Sequence, residues 1–262
     1  FGSSEPSAKP IGLKFKTIEL RQSEFFLVDF NSEPIEQGLD YARLQFDEIT
    51  ANAENFILNG STIGIDIKTL TGKEINSGLN IREFKTQLTY DPAFLELDNL
   101  SLKTDKSTIR DFMRLDLVGP EGYSDFLNQV KITAKMNETK VHLSDMRLFV
   151  PDLPEIDDAI FLSGTVLGPV SEIKSDEFLL RLGEKTAIFG SFLLDGLPDF
   201  EKTYLNLSLK NSVISSRDLA PYLPSDIEKQ INKFNLIRFD TDFQGVPTRF
   251  VTNGSFKTSI GN

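Results

Sequence analysis

Apolar residues in this chain recur at every second position, and at several places the alternation slips by one residue. In "LELDNLSLKTDKSTIRDFMRLDL", Leu95 and Leu97 are two apart, Leu100 is three further on, and Leu102 returns to a step of two. After the polar break Asp105-Lys106-Ser107, alternation resumes through Ile109, Met113, Leu115 and Leu117. Period two is the signature of extended strands that present one apolar face. The same alternation runs through "STIGIDIKTL", "GLNIREFKTQLTY", "QVKITAKM", "EFLLRLG", "TYLNLSLKNSVI" and "RFVTNGSFKTSI". Asn59-Gly60 between two such runs is a hairpin signal. About a dozen short, closely spaced strands predict an antiparallel all-β architecture.

The slip has a recurring form. Ala53-x-x-Phe56-x-Leu58, Ile81-x-x-Phe84-x-Thr86, Leu97-x-x-Leu100-x-Leu102 and Leu143-x-x-Met146-x-Leu148 all place two polar residues at the skipped positions. A single extra residue would turn every later side chain to the wrong face unless a β-bulge absorbs it, and a bulge also bends the strand. Four bulged strands in one sheet predict a sheet that curls around its apolar face. The competing reading is scattered edge bulges in an ordinary sandwich. Aromatic usage is lopsided, with 22 Phe, 5 Tyr and no Trp. One sheet cannot bury both faces of so many strands with a single convincing helix over it. Either a second sheet packs on it, or one face is left for something else to cover.

That helix is expected from Asp226 to Phe234, where Ser225 and Glu228 form a capping box and Ile227, Ile231 and Phe234 share a face. "DFLNQV" and "LAPYLP" read as single turns, and "FNSEPIEQGLD" as a loop. Residues 1–28 read as a flexible lead-in and first strand, and 29–262 as one β segment. No apolar run reaches the roughly 18 residues of a membrane span. The first residues lack the features of a signal peptide, and the chain reads as a piece of a longer protein.

Composition narrows the chemistry. A formal net charge of −11 argues against a nucleic-acid partner. The absence of cysteine excludes thiolate nucleophiles, disulfides and Cys-ligated zinc. The single histidine, His142, lies in an alternating run, where it is expected on the polar face without an orienting partner. "DTDFQG" opens like a calcium loop, but Val251 stands where the bidentate Glu belongs, so it reads as strand. "TGKE" lacks the upstream glycine of a phosphate loop. No catalytic residue, cofactor or metal site is expected, and the chain reads as non-enzymatic.

The block "GLDYARLQFDEITANAENFILNGSTIGIDIKTLTGKEINSGLNIREFKTQLTY" carries Gly38, Asp40 and Tyr41, then Glu74, Ser77 and Gly78. Further on come "NLSLKTDKSTI" with Thr104 and Ser107, "KVHLSDMRLFVPDL", "LSGTVLGPVSEI" and "FQGVPTRFVTNGSFKTSIG". Taken in this order, from about Phe30 onward, these blocks resemble the TamB-like, AsmA-like bridge proteins of Gram-negative envelopes. The resemblance implies an elongated, curled antiparallel β-sheet forming an open apolar groove, with one or two short helices. It implies a periplasmic bridge that moves phospholipid between inner and outer membranes and aids outer-membrane protein assembly. The full-length protein would be anchored in the inner membrane and would meet an Omp85-type outer-membrane barrel. Phospholipid acyl chains would be the cargo.

Residues expected to line the groove are Ile65, Ile67, Leu79, Ile81, Phe84, Leu95, Leu97, Leu100, Leu102, Leu143, Met146 and Leu148. The alternative is a non-enzymatic β-sandwich or β-solenoid interaction module with a closed core. A third reading is a carbohydrate-active enzyme on a β-solenoid.

Overall fold

A computed structural model describes residues 12–31, 33–35, 37–117, 125–149, 153, 155–223, 225–259 and 261. The expected flexible lead-in lies outside these residues, apart from the strand that follows it. The strands are β1 (Gly12–Val28), β2 (Arg43–Asn59), β3 (Thr62–Glu74), β4 (Asn80–Asp91), β5 (Phe94–Lys103), β6 (Thr108–Leu117) and β7 (Val130–His142). They continue as β8 (Ala159–Gly168), β9 (Glu172–Leu182), β10 (Thr186–Asp195), β11 (Tyr204–Ser215), β12 (Leu236–Val246) and β13 (Arg249–Thr258). The helices are short: α1 (Phe126–Gln129), α2 (Leu143–Met146), α3 (Ser216–Leu219) and α4 (Ser225–Ile231). A 3-10 turn covers Ala220–Tyr222.

Among the described residues thirteen strands form one antiparallel sheet in strict chain order, with β1 and β13 at its two edges. At about 4.8 Å per strand the sheet runs roughly 60 Å from edge to edge. It is an elongated, curled sheet and not a sandwich or a closed barrel. The β2–β3 hairpin closes one residue later than the sequence suggests. Asn59 still pairs with Thr62, and Gly60-Ser61 make the turn, Gly60 at φ +60°.

Directly opposed residues of antiparallel strands share a face, so the register traces the apolar face across the sheet. One row runs Leu13–Leu58–Ile63–Tyr90–Leu95–Leu115–Ile132–Gly168 over eight strands. Another runs Ile65–Leu88–Leu97–Met113–Ala134–Val166. In the last strands Ile173–Leu194–Leu205–Gly245–Phe250 continues the same face.

Bulges hold this face in phase. The skips at Ala53–Phe56, Ile81–Phe84 and Leu97–Leu100 coincide with register shifts between neighbouring strands. Asn55 and Asn99, inside two of these skips, have φ of +55° and +52°. The fourth expected bulge is a correction. Leu143–Met146 is the single helical turn α2, because the side chain of His142 accepts a hydrogen bond from the Ser144 N–H and caps it. Apolar spacings of three and five residues fit a helical turn as well as a slipped strand. The expected 226–234 helix is shorter, as α4 ends at Ile231 and a turn leads to Phe234.

Candidate functional site

The sheet offers two unlike faces. On the outer face polar residues pair across strands. Arg114 reaches Glu96 at 2.7 Å and Asp116 at 2.8 Å. Glu83 lies 2.8 Å from Lys85 and 3.0 Å from Lys103, and these ammonium groups with Ser101 hold its carboxyl down at about 2.

The inner face is an apolar trough. Its floor follows the bulges, where Ala53, Thr86, Leu100, Thr139, Ser175 and Ser212 are each 5% exposed or less. A bend crowds side chains on its concave side, and small residues fill the space there. The floor hydroxyls turn away from the trough onto the backbone that the bulges leave unpaired. Thr139 Oγ1 accepts from the Arg110 N–H at 3.3 Å, and Ser212 Oγ accepts from the Phe189 N–H at 3.1 Å. Thr86 Oγ1 donates to the Asp98 carbonyl at 2.9 Å, and Ser175 Oγ to the Glu177 carbonyl at 3.0 Å. With these hydroxyls occupied, the floor presents carbon.

Little covers the trough. A compact protein of 29.4 kDa exposes roughly 11,500 Å², whereas this chain exposes 16756 Å². Towards the edges the inner face is open: Leu13, Phe15, Leu20, Phe25 and Leu27 on β1, and Phe250 and Phe256 on β13, are exposed. In between, most inner side chains are half-buried.

Of the residues expected to line the groove, Ile65, Ile67, Ile81, Phe84, Leu95, Leu97, Leu100 and Leu102 share the inner face. Leu79 lies in the β3–β4 turn, where its carbonyl accepts from the Glu74 N–H. Leu143 and Met146 lie in α2, and Leu148 in the turn after it. These four are therefore corrections, since they belong to connections and not to strands. Sequence reading also missed the hydroxyl floor at Thr139, Ser175 and Ser212.

The residues that carried the family resemblance gather at the connections on one side of the sheet, which lace to one another. The Leu39 N–H donates to the Leu148 carbonyl at 2.7 Å, and the Tyr41 and Phe149 rings lie 6.5 Å apart. Thr104 donates to Asp145, and Ser107 Oγ accepts from the His142 N–H at 2.9 Å. His142 is buried and not on an open polar face, a further correction. Its Nδ1 lies against Ser144 and its Nε2 is 3.3 Å from Asp157. Tyr222 donates to Asp158 at 3.0 Å, and burial together with this carboxylate pushes the phenol up. On the opposite side, β2–β3, β4–β5 and β12–β13 join through two-residue turns.

Glu74 is the anchor of the laced side. It is 1% exposed, and its carboxylate accepts from the Ser77 N–H and hydroxyl at 2.6 Å each and from the Gln45 N–H at 3.1 Å. Burial pushes the carboxyl up, and the bonds from Ser77, Gln45 and Asn76 bring it below its ordinary value of 4.5. A lowered folded-state pKa means the carboxylate stabilises the fold above the unfolded value, and that stabilisation is lost as pH falls through the folded value. Glu74→Gln removes the charge and leaves an N–H facing donors, so it is expected to cost about 1–3 kcal/mol near neutral pH. In acid denaturation, the gap between wild type and variant should narrow below about pH 4.5. A gap independent of pH would remove the carboxylate from this role.

Among the described residues no group of His, Cys, Asp or Glu is arranged to hold a metal ion. Comparison with family models, with curated proteins and with solved structures returns no match.

Proposed function

We propose that this chain is a segment of a lipid-conducting bridge, in which phospholipid acyl chains lie in the trough and headgroups stay in water along its open length. One observation carries the reading: an apolar face continuous over the sheet and left uncovered by the described residues. Each buried CH₂ contributes about 0.8 kcal/mol, so even partial seating of two acyl chains outweighs the cost of ordering them. The hydroxyls on the floor are spent on the backbone, and among the described residues no polar cluster marks one fixed station, which suits cargo that moves. Acidic residues on the outer face keep such a sheet soluble. The order of blocks that resembles TamB-like proteins supports a periplasmic position for the segment. There the full-length protein would be anchored in the inner membrane and would engage an Omp85-type barrel.

Native mass spectrometry and lipid extraction of the purified chain test this directly, and phospholipid should co-purify. A photo-crosslinking side chain at Leu97 on the inner face should capture phospholipid, and one at Gln87 on the outer face should not. Lipid-free protein with equal capture at both positions would overturn the reading.

A further inference from the structure

Among the described residues, strand β1 is an edge of 17 residues with no partner on its outer side. Its partners in β2 fix which residues face inward: Leu13, Phe15, Ile18, Leu20, Ser23 and Phe25 oppose Leu58, Phe56, Ala53, Ala51, Ile49 and Phe46. These positions form a palindrome about Glu19. Position 13 mirrors 25, 15 mirrors 23, and 18 mirrors 20. The skip at 16–17 mirrors the skip at 21–22, where Gln22 has φ +46°.

An antiparallel ladder keeps opposed residues on one face. β1 can therefore pair with another β1 about a two-fold axis through Glu19 with every inward residue from Leu13 to Phe25 still inward and both slips in step, while Leu27, inward opposite Leu44, lies beyond this overlap. A shift of two residues either way breaks that match. Charge agrees with this register. Lys14 falls opposite Glu24 in both halves of the ladder, and Arg21, which pairs with Glu19 at 2.8 Å, lies diagonal to the Glu19 of the other copy. β13 can also keep its inward residues Phe250, Thr252, Gly254 and Phe256 inward, because an unbroken period of two allows many registers, but the register about Asn253 sets Arg249 directly opposite Lys257.

We infer that β1 is a self-complementary edge, and that two copies of this chain join through it into one continuous sheet with a single inner trough. A two-fold axis normal to the sheet puts both apolar faces on the same side and leaves no break at the junction. This pairing stands on strand geometry and is independent of what the trough carries.

The chain has no cysteine, so single cysteines report cleanly. Light scattering should give twice the 29.4 kDa chain mass. A short bismaleimide should link Glu19→Cys to itself most strongly. Thr17→Cys and Arg21→Cys should link poorly alone and well when the two variants are mixed, because 17 opposes 21. Lys14→Glu should raise the dimer Kd by about tenfold, and Lys14→Glu with Glu24→Lys should restore it. A monomer throughout the micromolar range would overturn the inference, as would cross-linking that peaks on β13 or at another β1 position. A dimer with these properties that carries no lipid would leave the inference intact and count against the lipid reading alone.

Discussion

Leu97→Asp should leave the sheet folded and strip it of lipid. Leu97 lies between Leu88 and Met113 on the inner face and is half-buried. In a closed core an unpaired carboxylate typically costs several kcal/mol and unfolds a domain of ordinary stability. Here the side chain reaches water along the open trough, so the expected loss is about 1–2 kcal/mol. Acyl chains crossing that point would meet a hydrated charge where hydrocarbon was continuous. Lipid recovered with the purified protein should fall by at least about tenfold, since one buried charge outweighs several CH₂ contacts. Ile81→Arg, on the same face, should behave alike. Gln87→Lys puts a charge on the outer face opposite Asp98 and should change neither lipid content nor melting temperature. If Leu97→Asp melts the domain and loses lipid only by unfolding, the inner face is a packed core and not a conduit.

Gly164→Val should have a large effect on folding. Gly164 faces inward on β8, opposite Phe178 and beside the skip in β9. Its φ is +131°, and a Cβ there would stand 2.4 Å from the Glu177 carbonyl oxygen and 2.9 Å from the Phe178 Cα. Backbone atoms cannot give way as a flexible side chain can, so the cost is about 3 kcal/mol or more. Hydrogen exchange should show protection lost in β8, β9 and β10. Gly64→Ala is the control. Gly64 faces outward between Ile57 and Thr89, and a Cβ meets nothing within 4 Å. Retained protection in Gly164→Val would mean the β8–β9 ladder is looser than its geometry shows.

Alternation made the strands legible, because a half-buried sheet face imposes period two whatever the partners. Slips at 53–56, 81–84 and 97–100 could be read because apolar residues flank them on both sides. Others went unseen. Met136-Asn-Glu-Thr139, Ser175-Asp-Glu-Phe178 and Leu209-Lys-Asn-Ser212 carry a hydroxyl residue at one flank, and a search for apolar spacing passes over them. The better signal lies inside the skip. Glu48, Asn55, Asn99, Glu138 and Asn211 are second in their polar pairs, and all have φ between 49° and 56°. Asn adopts that region at low cost, and Glu less readily. Leu143-Ser-Asp-Met146 has Asp there and a preceding histidine that caps a turn, so the same spacing became α2. Where the connections travel was not legible at all. Leu39 meets Leu148, and Tyr222 meets Asp158, across separations that no local pattern encodes.

Because every strand bonds only to its neighbours in the chain, the molecule is close to a one-dimensional ribbon. No strand must wait for a distant segment to find its place, so each hairpin can be completed in turn along the chain. Energetically, a hairpin is a nearly interchangeable module. Removing one shortens the ribbon by two strand spacings, about 10 Å, and leaves the odd-even alternation of its two sides unchanged. The width of the sheet can thus be adjusted in even steps by duplication or loss, without redesigning a core.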